Sequence, residues 1–173
     1  MMEVLGQIED CRVCYLNINK ERNWSDCLSG QLWAVFTISD EDGIEVLQPV
    51  IQICLDKKAV YICSAGRNGD LTEQLFDECI VDRGIEEEVI TGLEFDYKQS
   101  PITTSHTNFN EGFWYAATIA SFQFDDPFDL ICIDFTQLGV KKHLKSLIAA
   151  INSDENWQPS EVEFEDPKYD SKL

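Results

Sequence analysis

The stretch AVYICSAGRNGDLTEQLFDEC, residues 59–79, decides the fold class of this chain. It opens with a short apolar run, passes through a turn that contains two glycines, and continues with Leu71, Leu75 and Cys79 spaced four residues apart. A short unbroken apolar run is typical of a strand buried on both faces of a parallel sheet, and the four-residue spacing is typical of a helix. The stretch therefore predicts a β-strand followed by an α-helix at about residues 69–79.

The same order of strand and helix recurs along the chain. Apolar or β-branched runs predict strands at residues 11–18, 32–39, 59–64, 101–106 and 129–135. Helical spacing predicts helices at about residues 69–79, 110–122 and 138–151, and another that begins between residues 45 and 48. This alternation favours an α/β fold with three layers, in which helices cover both faces of a mostly parallel sheet, Rossmann-like in the loose sense. We expect residues 59–64, 101–106 and 129–135 to be neighbouring parallel strands.

The length of 173 residues fits one domain. We predict a single α/β domain over residues 1–152 and an acidic C-terminal tail over residues 153–173. The tail holds seven acidic residues and two prolines but few apolar ones. It is therefore expected to be extended or disordered unless Trp157 and Phe164 dock it onto the domain.

Charge limits the possible partners. The chain has 13 basic and 32 acidic residues, a formal charge of −19 and a pI near 4.2. Such a chain is repelled by nucleic acids and by anionic membranes, and it is attracted to basic proteins. Solubility alone is the alternative explanation. We predict no nucleic-acid or membrane partner and a basic protein partner.

Part of this charge falls in residues 82–96, which are predicted to be irregular with a short strand at residues 88–90. Carboxylates in this segment and in the Phe124-Asp-Asp-Pro loop are the candidate partner contacts. They are Asp82, Glu86, Glu87, Glu88, Glu94, Asp96, Asp125 and Asp126. DNA mimicry is the weaker acidic function, because the charges are expected in loops without phosphate-like spacing.

The seven cysteines do not predict a metal site. Cys11 and Cys14 have the spacing of a metal knuckle, but a structural zinc site needs a second such pair. Their surroundings alternate like a strand, whereas a redox pair usually opens a helix. The N-terminus lacks the basic start and apolar stretch of a secretory signal. We therefore expect reduced thiols, no metal, no cofactor and a cytoplasmic location.

The glycine turn at residues 64–70 resembles a nucleotide-binding corner only in outline. The dinucleotide fingerprint needs three glycines, and only Gly66 and Gly69 are present. No P-loop lysine follows, and Asp70 places a carboxylate where a phosphate would bind the helix. Asp70 is instead predicted to be the helix N-cap, with Asn68 and Gly69 in the turn. The corner is predicted to be an ordinary strand-to-helix turn.

A ligand of an α/β sheet binds outside the carboxyl ends of the parallel strands. Polar side chains at these ends form a candidate rim: Ser64, Arg67, Asn68, His106, Asn108 and Thr136. His106 could serve as a general base near a carboxylate, with Asp134 as the catalytic candidate beside it. The alternative to a binding protein is therefore an enzyme or sensor for a nucleotide or nucleoside.

Residues 32–135 resemble an uncharacterised family of small bacterial α/β domains. The segments that carry the resemblance are LWAVFTIS, AVYICSAG, DECIVD and ITTSHTNFNEGFWYAATIA. The matching residues in the last segment are Thr103, Thr104, His106, Glu111 and Trp114. The resemblance implies the α/β fold and brings no activity with it.

In size, charge and lack of catalytic motif the chain is also similar to bacterial immunity proteins, which block a cognate toxin nuclease. A nuclease carries a basic surface for its substrate, and an acidic blocker gains fast association and specificity from it. An immunity-type inhibitor of a basic partner is therefore the expected function.

Overall fold

Six strands and four α-helices are present in the described part of the chain. The computed structural model describes residues 2–18, 24–28, 32–39, 44–66, 68–120, 127–136, 139–154 and 156–159. The strands are β1 (Glu3–Ile8), β2 (Cys11–Asn17), β3 (Trp33–Ile38), β4 (Tyr61–Ala65), β5 (Ile102–His106) and β6 (Phe128–Asp134). The helices are α1 (Ile44–Asp56), α2 (Gly69–Thr91), α3 (Phe109–Trp114) and α4 (Lys141–Ser153). A π-helical turn, Tyr115–Ile119, continues α3.

The strands form one sheet in the order β1-β2-β6-β3-β4-β5. All neighbouring pairs are parallel except β1 and β2. The predicted α/β fold with a mostly parallel sheet is confirmed. The sequence predicts that residues 59–64, 101–106 and 129–135 are neighbouring strands. The prediction is correct for β4 and β5 but wrong for β6, which lies between β2 and β3. After β5 the chain crosses back through α3 to the middle of the sheet, and no local pattern reveals that return.

Alternate side chains of the central strands β2, β3, β4 and β6 enter two separate cores. On β2, Val13 and Tyr15 belong to the core that α3 and α4 cover, whereas Cys14 and Leu16 belong to the core that α1 and α2 cover. Helices therefore pack on both faces of the sheet, as the alternation of strands and helices predicts. Trp157 also packs against the first core, so the chain just after α4 is docked. Phe164 lies outside the described residues.

Helix α2 is the largest departure from the sequence prediction. It continues to Thr91 and ends at Gly92, whose left-handed φ of 68° and N–H bond to the Glu88 carbonyl form the C-cap. The irregular segment and the strand predicted at residues 88–90 are therefore wrong. The absence of a side chain at Gly84 makes room for Tyr97, because a Cβ at this position would lie 2.7 Å from the Tyr97 hydroxyl. Close packing by the following segment, not chain flexibility, explains the glycine.

The inward face of α2 also differs from the prediction. Thr72, Phe76 and Cys79 are buried and Leu75 packs against the core, whereas Leu71 is exposed. The predicted spacing therefore holds at Leu75 and Cys79 and fails at Leu71. The helix begins at Gly69 with Asn68 as its N-cap residue, and the predicted cap Asp70 lies in its first turn. None of the helices in the described residues combines the length and apolar character that a membrane crossing requires.

Strand β1 and the start of α1 also depart from the sequence pattern. No apolar run predicts β1; it pairs with β2 through a tight turn in which Glu9 adopts a left-handed φ of 48°. Helix α1 begins at Ile44, one residue before the predicted window, and includes Pro49. Strands β5 and β6, helix α4, and helix α3 together with its π-helical turn begin and end within three residues of the predicted positions.

The structure sharpens the prediction for the cysteines. Cys11 and Cys14 lie on β2 as predicted, three residues apart, so their side chains enter opposite cores. They cannot ligate one ion without breaking the strand. Burial raises the pKa of the Cys11 thiol and of the Cys63 thiol, each to about 12.

We expect purified protein to contain no stoichiometric zinc and its buried thiols to react with a disulfide reagent only after unfolding. Elemental analysis and thiol titration in buffer and in denaturant would measure both. One zinc per chain that is lost in a Cys11→Ser/Cys14→Ser variant would contradict this expectation.

Candidate functional site

The carboxyl ends of the parallel strands are the first candidate site. The register places Asp134, Ile38, Ala65 and His106 side by side across β6, β3, β4 and β5. Neighbouring strands are about 4.8 Å apart, so His106 and Asp134 are roughly 14 Å apart. The catalytic pair suggested by the sequence is therefore not brought together, because two strands lie between its members.

Asp134 is fully buried and accepts hydrogen bonds from three residues. Its Oδ2 accepts from the Tyr15 hydroxyl at 2.5 Å and from Asn17 Nδ2 at 3.3 Å. Its Oδ1 accepts from the Thr136 N–H at 2.8 Å and from the Thr136 hydroxyl at 2.7 Å. Burial, and after it the bond to Asp134, raises the pKa of Tyr15, so the phenol stays neutral. These bonds join the ends of β2 and β6, and both oxygens of the carboxyl group are bonded within the described part of the chain.

His106 meets a different carboxylate from the one expected. Its Nδ1 lies 3.7 Å from Glu111 Oε2, and its ring centroid lies 4.9 Å from that of Tyr115. Its Nε2 is buried and has no hydrogen-bond partner in the described part of the chain. Asn108 explains the position of Glu111, because its side chain caps α3 by accepting from the Glu111 N–H at 3.0 Å. The Asn-x-x-Glu spacing is a sequence signal of such a cap.

The rest of the predicted rim is largely internal. Ser64, Asn108 and Thr136 are buried, and Ser64 accepts a hydrogen bond from the Thr37 hydroxyl at 2.9 Å. Asn68 lies at the start of α2 and is partly exposed, and Arg67 lies outside the described residues. The described side chains of the rim therefore hold strand ends and helix starts together rather than line an open surface.

The glycine corner has a packing explanation. Gly66 has a φ of 90°, which favours glycine, and its N–H bonds to the His106 carbonyl. A Cβ on Gly69 would lie 3.1 Å from the His106 carbonyl oxygen and 3.2 Å from that of Ser64. Both glycines allow α2 to start close against β4 and β5, so neither needs a phosphate to account for it.

The exposed face of α2 is the second candidate site. Eight acidic residues and one arginine lie on this helix. Asp82, Glu86 and Glu87 are exposed to solvent. Arg83 is turned toward α1, where it pairs with Asp56 at 2.8 Å and bonds to Gln52. The charge of Arg83 is therefore paired with a carboxylate of α1.

An apolar row runs along the same face. Val81, Ile85 and Val89 recur at i, i+4 and i+8, and all three are exposed, Val89 at 80%. Ile90 is 82% exposed, beside a depression of about 590 Å³ between α1 and α2 that Asp82, Glu86 and Glu87 also line. Exposed apolar residues that are contiguous and bordered by charge are typical of protein-binding surfaces.

The other predicted contact residues lie elsewhere. Glu88 accepts a hydrogen bond from the Phe95 N–H, and Asp96 caps the short helical turn Tyr97–Gln99. Glu94 is exposed just after α2, and Asp125 and Asp126 lie outside the described residues. DNA mimicry is disfavoured above because the acidic residues are expected to lie in loops. This expectation is wrong for residues 82–88, which lie on α2.

The fold and these surfaces define an acidic α/β domain with buried polar strand ends and one exposed acidic and apolar helix face. The chain belongs to a family described as a domain of unknown function (DUF7684), whose model matches residues 13–151. The inferred resemblance of residues 32–135 to an uncharacterised family is confirmed, and the match extends to most of β2 and most of α4. Comparison with curated proteins gives no match, and comparison with solved structures gives none either.

Proposed function

We propose that this chain is an acidic protein-binding module that binds a basic partner protein through the exposed face of α2, in the manner of an immunity-type inhibitor. The observation that carries the proposal is the exposed apolar row Val81, Ile85 and Val89 beside the carboxylates Asp82 and Glu86. An intracellular toxin such as a nuclease is a partner of the right charge, and the cytoplasm is the proposed location.

The two kinds of side chain have different roles in this proposal. Apolar residues that leave water on binding supply most of the affinity of an interface, in a few central positions. Carboxylates around them attract a basic partner, raise the association rate and disfavour acidic competitors. The exposed face of α2 offers both within a few helical turns.

The small-ligand alternative receives less support from the structure. His106 and Asp134 are roughly 14 Å apart by the spacing of the strands. Three of the described rim residues, Ser64, Asn108 and Thr136, are buried and bond to other parts of the domain. The α2 face has the opposite character, because its side chains are exposed and few of them contact the rest of the domain.

Removing charge from this face should slow association. We expect Asp82→Asn/Glu86→Gln/Glu87→Gln to reduce the association rate by about tenfold at low salt, because steering depends on the field around the interface. The dissociation rate should change little. Pull-down from native cytosol at low salt supplies the partner, and rapid mixing at several salt concentrations measures both rates.

The matched control removes the same charge at the far edge of the sheet, with Glu9→Gln/Asp10→Asn/Asp154→Asn. It should slow association much less than the α2 variant. A companion variant, Ile85→Ser/Val89→Ser, should speed dissociation and release the partner during washing. Equal effects of the two charge variants, or a partner retained by the companion variant, would argue against the α2 face.

A further inference from the structure

A cavity of about 290 Å³ lies at the other edge of the molecule from α2. It is formed where the turn between β1 and β2, the end of the α3 and π-helical segment, and the chain after α4 meet. Two tryptophans and two carboxylates are among the residues that line it: Trp114, Trp157, Glu9 and Asp154. None of these four belongs to the strand ends or to the partner surface described above.

The walls of this cavity are fixed by local hydrogen bonds. Asp154 Oδ1 accepts from the Asn156 N–H at 2.9 Å, and the Asp154 carbonyl accepts from the Trp157 N–H at 2.9 Å. Asn152 Nδ2 donates to the Gln7 carbonyl at 2.8 Å and thereby joins the end of α4 to β1. These bonds hold the carboxylate and the indole of the tail segment next to the β1–β2 turn.

The opposite wall is built from the π-helical turn. The Thr118 hydroxyl donates to the Trp114 carbonyl at 2.7 Å, and both residues line the cavity. Trp114 and Trp157 are each partly buried against the core beneath. Glu9, whose backbone is left-handed, also lines the cavity. In a π-helical turn each backbone N–H bonds to the carbonyl five residues earlier, and such turns occur frequently at functional sites.

The chemistry of this lining selects for positive charge. The face of an indole ring is negative and attracts a cation, and carboxylates do so more strongly. An organic ammonium ion suits such a mixed lining, because it loses its hydration more easily than a small metal ion and also gains apolar contact with the rings. The volume is at the lower limit of ligand pockets, which points to a small molecule.

We propose that this cavity is a binding site for a small quaternary or alkylated ammonium ion. Trp114 and Trp157 supply the aromatic rings, and Glu9 and Asp154 supply the negative charge. The site is independent of the partner surface on α2, and it holds whether or not that surface binds a basic protein.

Choline and its neutral isostere 3,3-dimethylbutan-1-ol are the probes that test this site. Calorimetric titration of the full chain should show choline binding about tenfold more tightly than the isostere, because the two differ only in charge. Equal binding of the two probes, or no binding of choline, would overturn the proposal. Displacement of choline by millimolar calcium would assign the cavity to a metal ion and overturn it as well.

Two variants locate the binding within the molecule. Asp154→Asn keeps the oxygen that caps Asn156 and should weaken choline binding severalfold, and Trp157→Leu should weaken it by about tenfold through loss of the ring. The control Asp82→Asn removes the same charge on α2 and should leave choline binding unchanged. If Asp82→Asn weakens binding as much as Asp154→Asn does, choline is held only by the overall charge and the proposal fails. Thermal unfolding of each variant confirms that it is folded, and Asp154→Asn alone decides the result if Trp157→Leu does not fold.

Discussion

Replacement of Asp134 by alanine is expected to lower the free energy of unfolding by about 3 kcal/mol, the upper end of the cost of leaving a buried hydrogen-bonding group without its partner. The carboxylate is fully buried and accepts hydrogen bonds from Tyr15, Asn17 and Thr136. Alanine would remove the acceptor of the buried Tyr15 hydroxyl and the oxygen that binds Thr136, whereas Asn17 Nδ2 would still donate to the Thr136 carbonyl. Urea unfolding followed by fluorescence measures the change.

Two further variants separate this structural role from a catalytic one. Asp134→Asn retains one oxygen for Thr136 and should cost less than alanine does, and Asp82→Ala on the exposed face of α2 should change stability by less than about 0.5 kcal/mol. A stable Asp134→Ala protein would show that the hydrogen bonds at the ends of β2 and β6 are dispensable. The catalytic hypothesis for Asp134 would then regain support.

The elements of this fold were largely predictable because local patterns specify them. The apolar runs at β3, β4 and β6 and the spacing of Leu144, Leu147 and Ile151 in α4 predict their own secondary structure. The order of the strands was not predictable in the same way. It depends on where the crossover after β5 returns, and that return is determined by packing between residues far apart in sequence.

Helix α2 shows how tertiary packing changes the meaning of a local signal. Gly84, together with the β-branched Val89 and Ile90, suggests irregular structure, since all three are weak helix formers. In the structure Gly84 lies under Tyr97, and the surrounding glutamates favour the helix. The row Val81, Ile85 and Val89 is present in the sequence, but it has meaning as a surface only once the helix extends to Thr91.

The candidate site around His106 was also predictable only where the local sequence determines it. The position of His106 at the end of a strand was predictable from its place after a β-branched run. The carboxylate beside His106 was not predictable, because whether it is Asp134 or Glu111 depends on the order of the strands and on the cap that Asn108 forms for α3. The tryptophan cavity combines Glu9 with Trp157, which are 148 residues apart in the chain, and no local sequence pattern signals that meeting.

Replacement of Phe36 by alanine is the other change with a large expected effect, a loss of about 3–5 kcal/mol in the free energy of unfolding. Phe36 is fully buried on β3, and its ring meets those of Phe109 and Phe113 edge to face at 5.2 and 5.7 Å. These contacts hold α3 against the sheet. Gly112 already brings this helix so close that a Cβ would lie 2.7 Å from the Ala65 Cβ, and the backbone therefore has little freedom to collapse into the space left by the ring.

The matched comparison is Ile90→Ala on the exposed face of α2, which also shortens an apolar side chain but at a position that is 82% exposed. It should change stability by less than about 0.5 kcal/mol, since little apolar surface is buried there in the free protein. Urea unfolding of both variants under one set of conditions gives the difference directly. A loss at Ile90 as large as that at Phe36 would mean that Ile90 is buried against the body of the free protein, and the exposed α2 face would then be lost as a candidate partner surface.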